Sequence, residues 1–345
     1  MFQGAEITPG PQMTQITQIS MGKCPPDSRR DNKPLNRFSS FQRLALWTTA
    51  TTYLLILVGG LVRASGAGLG CPDWPRCFGG WVPPASAAAL PPQFDPSQFN
   101  PTLMWTEYLN RLLGVTVGFL IFATAISAWR HHRRDPRILW TTIGAFLLTG
   151  FQGWLGGRVV AHELATWIVT VHMIVALVIV QMLLYVTVRA FPQTHPSTSA
   201  PQHFSTSAPK HLSTFTLALI LLTLVQIALG TQVRGAIDAA LDAGVARNAA
   251  LATVGTLDFL HRDAAFVTLV GAILLVFWLV MRGGSLPLIR WSWVVLGLSV
   301  AQVAVGVVMA YVSLLPGAQV MHLTLASLLL GAETVLWLLS WRGSV

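Results

Sequence analysis

Two five-residue segments of the chain set a carboxylate and an arginine four positions apart: Glu107-Tyr108-Leu109-Asn110-Arg111 and Asp258-Phe259-Leu260-His261-Arg262. Each opens a long apolar stretch, and each is followed at nearly one distance by a lone histidine opening another. The separation from Asn110 to His172 is 62 residues, and from His261 to His322 it is 61. On a helix, positions three, four and seven apart share a face. Glu107, Asn110, Arg111, Gly114 and Gly118 therefore form one stripe, repeated by Asp258, His261, Arg262 and Ala265. Two inward histidines from different helices can ligate a heme iron from both sides. The arginines suit its propionates, and the glycines leave a groove flat enough for a planar ring. The repeat breaks at one position: Asn110, a poor iron ligand, stands where its counterpart is His261. The spacing thus predicts an intact site (His261, His322 and Arg262) and an altered one (Asn110, His172, Arg111 and Glu107).

Helices must carry these residues, and the composition says in what solvent. The chain is 53% hydrophobic and 10% charged, with a mean hydropathy of +0.59, whereas a soluble domain carries roughly 25% charged residues. Eight stretches reach the length of about 20 residues that a hydrocarbon core demands: 44–63, 105–129, 137–157, 166–189, 214–233, 258–281, 291–312 and 320–341. A net charge of +9 would suggest nucleic acid in a soluble protein. Here its distribution gives orientation, and no nucleic-acid partner is expected. Lys23, Arg29, Arg30, Lys33, Arg37 and Arg43 precede the first span, Arg130, Arg133, Arg134 and Arg137 follow the second, and Arg189, Lys210, Arg282, Arg290 and Arg342 complete the same side. The positive-inside rule makes that side cytoplasmic, with both termini inside. At 1.5 Å per residue, both candidate sites then lie within roughly 10 Å of the outer surface.

Residues 1–41 lack a signal-peptide core and read as a disordered cytoplasmic tail holding Cys24. Residues 191–213, rich in Pro, Ser and Thr with His195, His203 and His211, read as a solvated linker. This linker separates an N-terminal half, 42–190, from a C-terminal half, 214–342. The halves resemble each other further: Gly59-Gly60-Leu61-Val62-Arg63 matches Gly230-Thr231-Gln232-Val233-Arg234, and Gln152 with Gly156 matches Gln302 with Gly306. Four spans per half make the repeats parallel. The expected fold is an all-α polytopic membrane protein of eight transmembrane helices arranged as two pseudo-symmetric four-helix bundles. Cys71 and Cys77 share the first outer loop; they can pair in an oxidising exterior or stand as free or metal-binding thiols, although no nearby histidine completes a metal site. Arg63, Arg158 and Arg234 sit at outer helix ends, where snorkelling to the interface is an ordinary role. His131 and His132 read as solvated. His162 fits a structural role or an approach to a substrate edge, and Glu333 is a mid-span carboxylate with no counterpart in the first half.

The stretch Gly59-Gly60-Leu61-Val62-Arg63-Ala64-Ser65-Gly66-Ala67-Gly68-Leu69-Gly70-Cys71-Pro72-Asp73-Trp74-Pro75-Arg76-Cys77, with the Glu107–Arg111 stripe and His172, His261 and His322, resembles the heme A synthase family. The resemblance covers roughly 42–342 and implies an enzyme that oxidises a ring methyl of heme O to the formyl of heme A. It implies a heme b on His261 and His322 in the C-terminal half, a substrate heme on His172 in the N-terminal half, and Glu107 as the residue required for chemistry. It also implies a Cys71–Cys77 disulfide, a place in the cell's inner (plasma) membrane, heme O and its synthase as partners, and an electron acceptor of unspecified kind. A homo-oligomer is compatible with all of this.

Asn110 departs from the resemblance, for the family usually has a second substrate-side histidine there. Either His172 alone holds the substrate iron, with Asn110 as a hydrogen-bond donor at the open face, or this half has lost catalysis. Three functions therefore stand: a heme A-forming oxidoreductase, a diheme b-type electron carrier, and a heme-binding member of the family without turnover. Glu107, Arg111 and His172 all persist, which favours the first.

Overall fold

The computed structural model describes residues 38–191 and 211–342. The tail to residue 37 with Cys24, and the linker from 192 to 210 with His195 and His203, lie outside the described residues.

Nine helices form among the described residues, and eight are long and apolar enough to cross a membrane. Local capping sets several starts. At α1 (Ser40–Ala64), Ser39 and Gln42 close a reciprocal capping box. At α2 (Pro101–His131) and α3 (Pro136–Ala161), Asn100 and Asp135 accept from the first free N–H groups, and a proline occupies the first turn. The remaining helices are α4 (Thr166–Ala190), α5 (Leu212–Asp242), the single turn α6 (Arg247–Ala250), α7 (Thr256–Met281), α8 (Leu286–Tyr311) and α9 (Pro316–Arg342). No strand is present among the described residues, so the all-α, eight-span expectation holds. One boundary differs substantially. The fifth span ends near 233 by hydropathy, yet α5 runs on to Asp242. The extension is polar and is pinned by ion pairs from Asp238 to Arg234, at 2.8 Å, and to Arg63.

Helices α1 and α2, α2 and α3, α3 and α4, and α4 and α1 pack against each other, as do α5 and α7, α7 and α8, α8 and α9, and α9 and α5. Contacts of α9 with α1 and α4, and of α4 with α5, join these sets. Helix α9 is the most enclosed: 67% of its apolar window is buried, against 33% at most in the other seven spans. Lipid tails are as apolar as leucine, so close packing and interhelical hydrogen bonds must hold such helices together. Threonine pairs supply the bonds: Thr48–Thr124 at 2.9 Å joins α1 to α2, Thr49–Thr187 at 3.0 Å joins α1 to α4, and Thr170–Thr231 at 2.8 Å joins α4 to α5. Phe119, Phe266 and Phe277 point outward, as lipid-facing side chains do.

The loop end carries residues 65–99, and the basic end carries the turn around Arg133 and Arg134.

Close packing is tightest where α9 meets α1. A methyl group on Gly331 would overlap the Tyr53 hydroxyl. Gly331→Ala is expected to destabilise the fold by about 1–3 kcal/mol, seen as a lower melting temperature in detergent. Tyr53→Phe in the same chain should recover part of that loss, because it removes the nearest clashing atom.

Candidate functional site

His261 lies in the second turn of α7 and His322 in the second turn of α9, both towards the loop end. Their ring centroids stand 6.2 Å apart. An imidazole nitrogen sits about 1.1 Å from its ring centre and binds a metal at about 2.0–2.1 Å. Two rings flanking one ion should therefore have centres roughly 6–6.5 Å apart, and the observed pair meets that spacing. Each ring lies against a glycine: a methyl on Gly230 of α5 would sit 3.0 Å from His261 Cε1, and one on Gly306 of α8 would sit 3.3 Å from His322 Cε1. Neither Nδ1 has a hydrogen-bond partner. Among the described residues, no group of three or more His, Cys, Asp or Glu side chains is placed to hold a metal. The pair thus fits an axial ligand set better than a protein-only metal cage.

Acidic and basic groups border this pair. Arg262 bonds Asp258 through Nε at 3.1 Å and Nη2 at 2.7 Å, and donates from Nη1 to the Tyr311 hydroxyl at 3.1 Å. A guanidinium has five N–H donors, so Arg262 keeps two without a partner among the described residues. Arg234, one turn beyond Gly230, bonds Gln319 at 2.6 Å and Asp238, while its buried Nε has no partner. Arg63 shares the same Asp238. Hydropathy alone gave no hint of this bridge, because Asp238 lies beyond the fifth apolar span.

The altered site keeps the scaffold but not the pair. His172, in α4, faces Gly156 of α3, where a methyl would come within 3.5 Å of Cε1. Gln152, one turn along α3, donates to the His172 carbonyl at 2.8 Å. Asn110 faces Gly59 of α1, with Oδ1 at 3.9 Å from a methyl placed there. Asn110 Oδ1 and His172 Nδ1 are both buried without a partner. All four of these positions therefore lie opposite glycines, and the Asn110 contact is the loosest.

Glu107 and Arg111 build something the sequence did not reveal. Glu107 is 4% exposed. Its Oε2 accepts from the Cys71 N–H at 2.8 Å, and its Oε1 accepts from Arg111 Nη2 at 2.5 Å and Nε at 3.2 Å. Arg111 also donates through Nη1 to the Asp73 and Arg76 carbonyls at 2.7 and 2.8 Å, and through Nη2 to the Cys71 carbonyl at 3.0 Å. All five of its donors are engaged. The sequence-derived role of Arg111, a propionate contact, would require it to surrender one of these bonds.

The segment it holds is a small folded unit. Cys71 and Cys77 form a disulfide and are buried with Phe78 and Met104. Asp73 accepts from the Phe78 and Gly79 N–H groups at 2.6 and 2.9 Å. Gly70 is required at the seam, since a methyl there would lie 2.8 Å from Met104 N and overlap the Leu103 carbonyl. Elsewhere at this end, His162 pairs with Arg158 at 3.0 Å, and Trp74 rests on Gly157 beside Trp154 in a cleft.

The sequence profile of the COX15-CtaA family, described as cytochrome oxidase assembly proteins, matches residues 42–334. The chain belongs to this family. It is similar to proteins named heme A synthase: one from Allorhizobium ampelinum, 28% identical over 239 residues (62% of this chain and 62% of that protein), and one from Rhizobium leguminosarum bv. trifolii, 26% identical over 240 residues (64% and 60%). A shorter match to the heme A synthase of Geobacillus kaustophilus is 34% identical over 124 residues (36% and 34%). The matches with the two rhizobial proteins thus span about three fifths of those relatives' length.

Arg111→Lys keeps the charge but cannot reproduce the five-donor fork. Hydrogen bonds to charged groups are worth about 1.5–3 kcal/mol each, so amide exchange at Cys71 and its neighbours should accelerate by roughly 10- to 100-fold, measured by mass spectrometry. Exchange in α7–α9 should stay as in the parent chain.

Proposed function

We propose that this chain is a heme A synthase: an integral membrane oxidoreductase that oxidises a ring methyl of heme O to a formyl group. The observation that carries the reading is the inequality of the two sites within a member of this family. One offers two imidazoles at metal-bridging spacing, and the other offers one imidazole, an asparagine and a buried carboxylate.

In this reading His261 and His322 hold a resident heme b. The two spare donors of Arg262 and the unpartnered Nε of Arg234 are matched to its propionates. When bound, that heme supplies one-electron transfer, and electrons leave the substrate towards an acceptor of unspecified identity. The chain's own residues do the rest. Gly230 and Gly306 let both imidazoles approach the neighbouring helices closely, so the ligands would be held before the ring arrives. His172 grips the substrate heme from α4, while Asn110 leaves the opposite face without a strong ligand. Glu107, one turn from Asn110, is the buried base placed to take a proton as the methyl is oxidised. Arg111 and the disulfide loop hold Glu107 in position and screen it from water. Accepting a proton weakens the carboxylate's bonds to Arg111 and to the Cys71 N–H, so the loop feels the event directly.

The loop end is the exterior and the basic end the cytoplasm of the plasma membrane, with both termini inside. The halves 42–190 and 214–342 act as parallel four-helix repeats, one for substrate and one for heme b. Heme O, supplied by its synthase, is the partner this assignment needs.

Expression with a source of heme O, followed by pigment extraction, tests the reading. Heme A is expected from the parent chain, with at least a tenfold loss in Glu107→Gln. Parent chain that binds heme yet yields only heme O would sink the activity. The purified protein should also show a low-spin bis-histidine spectrum that His322→Ala abolishes. Gly230→Ala, which presses a methyl to 3.0 Å from His261, should weaken that signal, whereas Gly59→Ala should leave it intact.

A further inference from the structure

Glu333 plays no part in either outer site, yet it is 1% exposed in the most enclosed helix. Its Oε1 accepts from the Thr223 hydroxyl of α5 at 3.0 Å, and its Oε2 has no partner. Helical register shows what else shares its level. Leu177 of α4, Ile227 of α5, and Ala326 and Leu330 of α9 form one apolar cluster at the junction of the three helices. One turn towards the basic end on each helix, at positions three or four away on the same face, stand Gln181, Thr223 and Glu333. Gln181 has the Tyr53 hydroxyl of α1 as a hydrogen-bond partner for one polar atom of its amide, and the other is buried without a partner.

No cation compensates this carboxyl. Along the apolar stretches of α1, α4, α5 and α8 that border α9, the ionisable side chains are Tyr53, Arg63, His172, Tyr185, Arg189 and Tyr311, and the two arginines stand at helix ends, paired with Asp238 and Asp135. An ionised carboxylate in such a place costs several kcal/mol, so neutrality is the affordable state. A neutral carboxyl accepts at one oxygen, as Glu333 does from Thr223, and must donate from the other. That donor and the remaining Gln181 atom make two unmet hydrogen-bonding groups at one level. A buried water makes about two to four such bonds.

We propose that Glu333 and Gln181 form a buried site for one water molecule, bound between a carboxyl that carries its proton and the glutamine amide. The Glu333 hydroxyl donates to the water, and the water and the Gln181 amide complete each other. Thr223 fixes the second carboxyl oxygen. The site lies eleven residues from His322 along α9, about 16 Å towards the basic end. It is a proton-holding centre in the opposite half of the membrane from the ligand pairs, and its existence does not depend on the activity assigned above.

Infrared difference spectroscopy on the purified full chain tests it, by subtracting Glu333→Gln from parent. The difference should contain the C=O stretch of a protonated carboxyl, shifted down in D2O, together with a water O–H stretch that moves in H2 18O. Carboxylate bands in their place, or a water band retained in Glu333→Gln, would overturn the proposal. Gln181→Leu is the second variant and keeps the carboxyl. Its C=O band should move to higher wavenumber and the water band should vanish; an unchanged pair of bands also overturns the site. Melting temperature reports that each variant is folded.

Discussion

A helix bundle in hydrocarbon has no solvent to satisfy its interior, so each buried polar atom must find its partner inside the chain. This constraint organises the whole structure. Threonines obey it twice over, returning their hydroxyls to carbonyls four residues back, as Thr48 does at 2.8 Å, while also bonding across helices. The exceptions are informative because breaking the rule costs about 1–3 kcal/mol per group. Apart from His132 Nδ1, every buried side-chain atom without a partner belongs to one of three places. Asn110, Gln152 and His172 mark the altered site, and His261, His322, Gln302 and Arg234 mark the intact one. Gln181 and Glu333 mark the inner junction.

The two sites at the loop end share a device and differ in what surrounds it. In each, inward side chains are pressed against glycines of neighbouring helices, and at the intact pair the Gln226 and Gln302 backbones also stand within hydrogen-bonding reach of the two rings. Around the intact pair, arginines keep donors in reserve. Around the altered one, Arg111 has none left, because the folded segment of residues 70–78 takes three and Glu107 takes two. The same guanidinium–carboxylate pair four residues apart therefore does different work in the two halves. In one it is an open rim, and in the other it is the fastening of a lid-like loop with its own disulfide and apolar core.

Most of the architecture was legible in the sequence because it rests on short-range signals. Hydropathy found eight spans, and the doubled Glu/Asp–x–x–x–Arg segments, each followed at nearly one distance by a histidine, marked His261 and His322, whose rings stand 6.2 Å apart. The extension of α5 was not legible, since Asp238 lies past the fifth apolar stretch and Arg234 reads only as a snorkelling helix end until Arg63 of another helix is present to share that carboxylate. The engagement of Arg111 was hidden for the same reason: two of its five hydrogen bonds stay on α2 with Glu107, but the other three go to carbonyls of a loop thirty-five to forty residues away, whose fold no periodicity encodes. Glu333 was visible as an oddity only. Its meaning required knowing that Leu177, Ile227 and Leu330 meet, which puts Gln181 and Thr223 beside it.

The asymmetry of the outer sites has a physical logic under the proposed reading. A resident cofactor should be gripped by two preorganised ligands, and the rings of His261 and His322 stand at bridging distance with their glycines already in contact. A substrate must be released after its methyl is oxidised, so the second strong ligand becomes a liability. Asn110 sits in the loosest of the four glycine contacts, with an amide that can hydrogen-bond but binds iron poorly. What the altered site lacks in ligation it recovers in enclosure. Glu107 is fixed by three hydrogen bonds and covered by a loop whose backbone approaches α2 so closely that only glycine fits at position 70. A site that holds its iron weakly but its base rigidly favours chemistry at the ring edge over retention of the ring, which is the division of labour that two copies of one helical repeat can provide.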